Sequence, residues 1–251
     1  MKKVIISEGT AVRTVTLNRP EKRNALDLEV MDGLTAAFST PPGEAERVTV
    51  LRANGTAFCS GMDLTQNKEA LGKPKVIEKM LGAIENYPLP VVAMVHGDAI
   101  AGGMELALHC DFVVANQDAR FAMSLAQLGL APTWFLTKKI IEVAGPVLAR
   151  EILLLGEPID ASRLAVSGVI ARSVSADGLE AAVDALVDCL TRNAPLSIEA
   201  MKATIERQMT FRDVVPYGDL NKFVEKISSS DDAEEGISAR LERRTPVFRG
   251  L

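Results

Sequence analysis

Apolar and polar residues alternate over 12–17, and a shorter apolar run covers 4–7, with Glu8-Gly9-Thr10 between them. Period-two patterning on both sides of a glycine turn predicts a β-hairpin, closed by Asn18-Arg19-Pro20. The period then changes. Val30, Met31, Leu34 and Phe38 recur at helical spacing behind Asp27, whose carboxylate suits an N-cap, and Pro41-Pro42-Gly43 stops that helix. A strand is predicted over 47–51, ended by the turn Ala53-Asn54-Gly55-Thr56. Val76, Ile77, Met80, Leu81 and Ile84 share one face of a second amphipathic helix, and 72–74 before it reads as a mobile surface loop. Pro88 and Pro90 bracket the entry to a buried strand over 91–95. A glycine-rich turn, a helix from about 102 to 110 and a strand over 111–115 follow.

This alternation of strands and helices points to βαβ units and a largely parallel sheet. From Pro146 onward the pattern is helical: 146–155, 161–167, 176–192 and 197–209, then 217–228 and 232–243. The expected organisation is an α/β core over 1–195 and a helical region over 196–251. Such a tail either caps the core or packs on another subunit.

Composition narrows the function classes. Of 251 residues 47% are hydrophobic, enough for the core of one large domain. The net charge is −5, with acids and bases interspersed, so no basic face is available for a nucleic-acid partner. The longest apolar runs, 90–95 and 152–155, read as a core strand and a core helix turn and fall far short of the ~20 residues of a membrane span. Lys2 and Lys3 precede no long apolar stretch, so the start does not read as a secretory leader. Cys59, Cys110 and Cys189 form no CxxC pair, and the histidines are His96 and His109 alone. That excludes a Cys/His metal site from the expectation, suits a reducing cytoplasm, and leaves each cysteine a buried hydrophobe.

Two segments carry candidate chemistry. Ala57-Phe58-Cys59-Ser60-Gly61-Met62-Asp63-Leu64 and Val95-His96-Gly97-Asp98-Ala99-Ile100-Ala101-Gly102-Gly103-Met104-Glu105-Leu106-Ala107 each follow a predicted strand. Each has glycine where the backbone must turn tightly or be approached closely, and each leads toward a helix whose first N–H groups lack internal partners. Two such N–H groups aimed at one point can hold a developing negative oxygen. Taken singly, either segment is an ordinary strand–turn–helix corner. Gly102-Gly103 lacks the Lys-Ser/Thr of a phosphate loop, and GxGxxG is absent.

Together the segments resemble the crotonase (enoyl-CoA hydratase/isomerase) superfamily, whose motifs are of the types AFCAGADL and GxAxGGGxELAxxCD. This chain has AFCSGMDL and GDAIAGGMELALHCD, with further matches in LNRPEKRNALD, LLLGEPIDASRLAVSGVI and EEGISARLERRTPVFRG, so the resemblance spans the whole chain. It implies an α/β fold, a crotonase-type spiral of ββα units with a C-terminal helical trimerisation region, assembled as a homotrimer or dimer of trimers. It implies an acyl-CoA or acyl-carrier thioester as substrate, with coenzyme A part of the substrate and no separate cofactor. Neither nucleic acid nor membrane is expected as a partner. The backbone N–H groups of Met62 and Gly102 would form the oxyanion hole. Ala25 and Leu26 would touch the CoA moiety, and Ser60, Asp63 and Leu64 fall in the substrate-binding segment. Lys22 and Arg23 either approach the CoA phosphates or are plain surface charges. Asp63 suits a helix cap better than a catalytic acid.

Hydratases of this superfamily use two glutamates. Glu105, three residues after Gly102 and on the same helix face, matches the first; its alternative role is helix stabilisation. The second falls at Leu125, and the position where some isomerases place an acid is Thr133. Trp134 and Phe135 stand where the family often has small residues; they either fill the acyl pocket or pack in the core. His96 and Asp98 are candidates for a replacement proton carrier, and His109 reads as structural. The expected function is therefore an enoyl-CoA hydratase/isomerase-family enzyme that stabilises a thioester enolate, with one glutamate kept. The alternatives are an acyl-CoA decarboxylase, a C–C lyase or hydrolase of the same fold, or a catalytically impaired thioester-binding protein. Because general acid–base assistance contributes ~10²–10⁴-fold, crotonyl-CoA hydration should be slower by about that margin than in a two-glutamate hydratase. A steady-state hydration assay checks this, and Leu125→Glu is the variant expected to raise the rate if the pocket admits water.

Overall fold

The computed structural model describes residues 2–65 and 74–250. Of the loop expected over 72–74, only Pro74 falls within them, as the first residue of a helix. A six-stranded sheet runs through the core in the order β1 (Val4–Glu8), β2 (Val12–Leu17), β3 (Val48–Ala53), β4 (Val91–Val95), β6 (Phe112–Asn116) and β9 (Arg172–Val174). β1 and β2 form the expected antiparallel hairpin, Val4 opposite Leu17, and every later neighbour is parallel.

Both faces of this sheet are covered, which explains why β4 reads as a continuous apolar run instead of an alternating one. Leu51, Val91, Ala93, Val95 and Val113 point into one cluster, shared with α1 (Leu28–Ser39), α2 (Pro74–Glu85) and α3 (Gly102–Leu108). Val48, Val50, Val92, Met94 and Val114 point the other way, against Val183, Leu186, Val187 and Leu190 of α6 (Leu179–Arg192). Full burial of each such side chain stabilises the fold by ~1.5–3 kcal/mol before entropy is counted. α1 begins as its sequence indicates, with the Asp27 carboxylate accepting the Val30 N–H at 2.9 Å.

A second, three-stranded sheet joins β5 (Ala99–Ile100), β7 (Arg120–Ala122) and β8 (Ile159–Asp160). The sequence does not announce these strands: two or three residues are too few for a period to show. The helix expected from Pro146 instead starts at Trp134, because α4 (Trp134–Arg150) continues across a break at Gly145 (φ 66°, ψ 170°). Pro146 opens the second segment, where its missing N–H costs nothing. A π-helical turn over Glu151–Leu155 follows, and Leu154 and Leu155 face solvent, contrary to the core helix turn expected there. Cys59 and Cys110 are buried as expected, whereas Cys189 is exposed.

After α5 (Ala161–Val166) and α6, the chain ends in α7 (Pro195–Met209), α8 (Gly218–Ser228) and α9 (Asp231–Glu242). These helices cap the core. Lys202 of α7 reaches the Asp111 carboxylate at 2.6 Å and the Leu89 carbonyl at 3.3 Å. α9 lies backbone-on-backbone over the turn at Leu128, so close that any Cβ at Gly236 would collide with the Leu128 carbonyl. Leu196, Met201, Ile205, Phe211 and Phe223 of this region remain exposed. Among the described residues no helix is long and apolar enough to cross a membrane.

Candidate active site

The site is assembled from two backbone contacts between segments distant in sequence. In the first, residues 23–26 run beside 60–63: the Ser60 N–H donates to the Arg23 carbonyl (3.0 Å), Leu26 N–H to Gly61 (2.8 Å) and Asp63 N–H to Leu26 (3.0 Å). Buried side chains hold this seam. Asn24 donates to the carbonyls of Asn54 and Ala57, at 2.7 and 2.9 Å. Arg19 reaches Asp63 at 2.8 Å, Asp27 at 3.5 Å and the Ala25 carbonyl at 3.1 Å. Burial alone would raise the Asp63 pKa, but hydrogen bonds from Thr65 and Arg19 outweigh it and hold the carboxyl below its usual value.

The second contact brings the Gly102 turn to the same place. Cys59 pairs with Ala99 in a parallel bridge, and the Ile100 N–H donates to the Cys59 carbonyl at 2.9 Å. α3 then starts so near Cys59 that a Cβ on Gly103 would strike that carbonyl. Ala101, between the bridge and the helix, adopts φ 48° and ψ −115°, a conformation costing an L-residue ~1–3 kcal/mol. A Cβ on Gly61 would lie 3.2 Å from the Gly102 nitrogen, so Gly61 and Gly102 are direct neighbours. Among the described residues, neither the Met62 nor the Gly102 N–H is engaged in a turn, loop or cap hydrogen bond.

Met62 and Gly102 both line a cavity of about 380 Å³ with Glu105, and Ile77, Met123, Leu125, Leu128 and Leu130 make much of its wall apolar. Val224, Ser228, Arg240 and Leu241 of α8 and α9 complete it. Glu105 is 1% exposed, and neither of its carboxyl oxygens has a hydrogen-bond partner. Burial pushes its pKa well above the ordinary value; Lys139 opposes that rise and Glu85 adds to it. Burial thus favours the protonated carboxyl more than in an exposed glutamate. One turn on, His109 Nδ1 lies 2.8 Å from the Glu105 carbonyl, which assigns the ring proton to Nδ1. Burial first, and then nearby Lys139, lower the His109 pKa to about 4, partly offset by Glu85.

Of the residues singled out in the sequence, Ala25, Ser60, Met62, Asp63, Leu64, Gly102, Glu105 and Leu125 line this one cavity. Leu26 stands behind it, its Cδ1 3.2 Å from where a Gly102 Cβ would sit. Lys22 is not in the cavity wall; its carbonyl accepts from Ser60 Oγ at 3.4 Å, and the basic residues that line the cavity are Arg23 and Arg240. Asp63 accepts the Thr65 N–H as a capping side chain would, and is also the Arg19 partner. Trp134 and Phe135 fall outside the cavity wall. Trp134 stacks on Tyr217 (5.0 Å, 2°) and Phe135 on His109 (5.2 Å, 18°), both at a second, more polar cavity beyond α4. His96 is held by the Gly55 carbonyl and Asp98 by Arg120, so neither lines the cavity as a replacement acid. Sequence reasoning missed Arg240, Leu241 and Val224, whose helical periodicity carries no sign of which cavity they close.

The chain is similar to known proteins along its whole length. The family model for enoyl-CoA hydratase/isomerase matches residues 7–250. The 2,3-dehydroadipyl-CoA hydratase of Escherichia coli K12 is 31% identical over 258 residues, covering 100% of both chains. An enoyl-CoA hydratase structure from Mycobacterium avium subsp. paratuberculosis K-10 superposes with TM-score 0.87 at 27% identity, covering 98% of each chain. A methylmalonyl-CoA decarboxylase structure superposes with TM-score 0.90 at 24% identity over 99% of this chain and 98% of its own, a likeness of fold alone. The chain belongs to the enoyl-CoA hydratase/isomerase family and is an enzyme of the crotonase superfamily.

Two buried groups give stability slopes of opposite sign. Glu105 keeps its proton to higher pH in the fold than in the unfolded chain, so its contribution is lost as pH rises. His109 titrates near 4 in the fold against 6.5 unfolded, so on the order of 3 kcal/mol is lost as pH falls through that window. Denaturant unfolding across pH should show Glu105→Gln gaining on the parent as pH rises above the ordinary carboxyl range, and His109→Gln declining less steeply than the parent below about 6.5.

Proposed function

We propose that the cavity takes an acyl-CoA thioester whose carbonyl oxygen is held by the N–H groups of Met62 and Gly102, with Glu105 as the proton donor to the enolate so formed. The observation that carries this reading is the buried Glu105 carboxyl, which accepts no hydrogen bond, in the wall of a cavity that Met62 and Gly102 also line. A carboxyl with no hydrogen-bond partner and a raised pKa is poor structural material, but it suits delivery of a proton to carbon. Charge developing on the thioester oxygen is stabilised by donors already fixed in place, without solvent reorganisation. Water added at the β-carbon of an enoyl thioester sends the C=C pair into the enolate; the α-carbon takes the Glu105 proton, and the carboxylate left behind takes the proton that the added water loses. Coenzyme A is part of the substrate in this scheme, and no separate cofactor takes part.

Leu125 favours a second reading. It stands in the same wall where a hydratase carries its other glutamate, and Leu128 and Leu130 extend an apolar surface beside it. A substrate carboxylate placed there would be poorly solvated, which favours loss of CO₂. The C–C bonding pair passes to the thioester enolate, and Glu105 again supplies the single proton required. Decarboxylation therefore needs only the groups present.

The exposed apolar side chains of α7, α8 and the segment between them support a homotrimer or dimer of trimers, with residues 196–251 as the assembling region. Light scattering should give three or six times the chain mass; a monomer at micromolar concentration rejects the assembly.

The enzymatic reading is tested with crotonyl-CoA, malonyl-CoA and methylmalonyl-CoA, identifying products by mass. On whichever thioester is turned over, Glu105→Gln should lower kcat by ~10²–10⁴-fold while KM stays close to the parent's. Met62→Pro, which removes one donor N–H, should cost at least ~10²–10³-fold. Full turnover by Glu105→Gln would reject the assignment.

A further inference from the structure

Thr133 begins α4, the position where a threonine hydroxyl ordinarily accepts an N–H of the first helical turn. Here it makes no such bond. That helix end is served by another element: the Trp134 N–H donates to Asn221 Oδ1 of α8 at 3.1 Å. The freed hydroxyl turns to α2 and donates to Glu78 Oε1 at 2.5 Å. Thr133 is 5% exposed and lines the same cavity as Glu105 and Leu125, and Ile77, next to Glu78, lines it too.

A hydroxyl has one hydrogen and two lone pairs. With its hydrogen held by the Glu78 carboxylate, Thr133 Oγ1 can only accept from whatever occupies the cavity. Leu125, Leu128, Leu130 and Ala131, the wall residues closest before it in the chain, are apolar; the other hydroxyls of the wall belong to Ser60, Thr65, Ser124 and Ser228. Leucine at 125 thus removes one polar contact from the acyl end, and the Thr133–Glu78 pair supplies a different one.

We infer that Thr133 is a specificity-determining residue that selects thioesters whose acyl chain presents a hydrogen-bond donor, a hydroxyl, and that Glu78 is its positioning residue. The inference rests on the thioester reading above. Against an acyl chain that ends in hydrocarbon, the Thr133 oxygen is left without a partner in an apolar wall. Against a carbonyl at the same place, two acceptors face each other. Only a hydroxyl satisfies it. The pair also ties α2 to the start of α4, so a merely structural bond would affect folding but not the ranking of ligands.

Titration calorimetry on the full-length protein tests this with butyryl-CoA, 3-hydroxybutyryl-CoA, 4-hydroxybutyryl-CoA and acetoacetyl-CoA. One of the two hydroxyacyl thioesters should bind about 3- to 10-fold tighter than butyryl-CoA, the range one neutral hydrogen bond confers, and acetoacetyl-CoA no tighter than butyryl-CoA. Thr133→Val should erase the preference by binding butyryl-CoA more tightly than the parent does, and Thr133→Ser should keep it. Glu78→Ala releases the hydroxyl to donate as well as accept, so acetoacetyl-CoA should gain on the hydroxyacyl thioester. Equal affinities for the hydroxyacyl thioesters and butyryl-CoA in the parent protein, a comparison that needs no variant to fold, would overturn the inference. A preference that survives Thr133→Val would do the same. Binding of none of the four thioesters rejects the thioester reading, and the inference falls with it; binding of all four without preference rejects the inference alone.

Discussion

Everything in the candidate site depends on how closely the start of α3 approaches the strand at Cys59. The Cys59–Ala99 bridge and the Ile100 N–H fix the two segments in register, and the absence of a side chain on Gly103 lets the helix backbone lie against the Cys59 carbonyl. Ala101 is held in a conformation that an alanine would otherwise avoid. Strain of that kind persists only where the surroundings over-determine the backbone. The parallel bridge on one side and the Ala101 N–H bond to the Ala122 carbonyl on the other do so here. The outcome is that Met62 and Gly102, forty residues apart, line one cavity.

Around this contact the protein keeps two kinds of buried charge. Arg19, Asp27 and Asp63 are paired and hydrogen-bonded, and together they hold the Met62 segment from behind. Lys139 pairs with Glu85 beyond Glu105, supported by Glu142 at 3.4 Å. Glu105 differs from all of these in that neither carboxyl oxygen accepts a hydrogen bond, although His109 Nδ1 stands 3.6 Å from Oε2. An unsatisfied buried polar group costs roughly 1–3 kcal/mol, offset by the two apolar clusters that flank the main sheet. The contrast between satisfied and unsatisfied carboxyls separates the framework of the site from the carboxyl proposed as its acid.

The motifs of this chain have structural reasons that residue order alone does not reveal. In LNRPEKRNALD, Arg19, Asn24 and Asp27 are buried frame residues, and Arg23 and Asn24 take left-handed backbone angles to let residues 24–26 pass beside 60–63. In the second segment, Gly103 is required for close approach and Glu105 for its place in the cavity wall. Asp98, attractive as an acid on paper, is bound by Arg120 in the neighbouring strand β7. A strand of three residues leaves no periodic trace, so that pairing could not have been anticipated.

The sequence by itself determined the hairpin, the parallel sheet, the helical tail, the family, and the gathering of Met62, Gly102, Glu105 and Leu125, because those rest on period, glycine placement and motif spacing. Tertiary structure decided the rest. Trp134 and Phe135 fall outside the cavity that Glu105 lines because α4 begins at Trp134 and turns both rings toward Tyr217 and His109. Thr133 exchanged helix capping for Glu78 because Asn221, nearly ninety residues further along, took over the Trp134 N–H. Arg240 and Leu241 became cavity wall because Gly236 lets α9 settle on Leu128. Each of these is a contact between elements far apart in the chain, whose partners are chosen by shape and hydrogen-bond competition in three dimensions, and no local pattern of hydrophobic and polar positions encodes that choice.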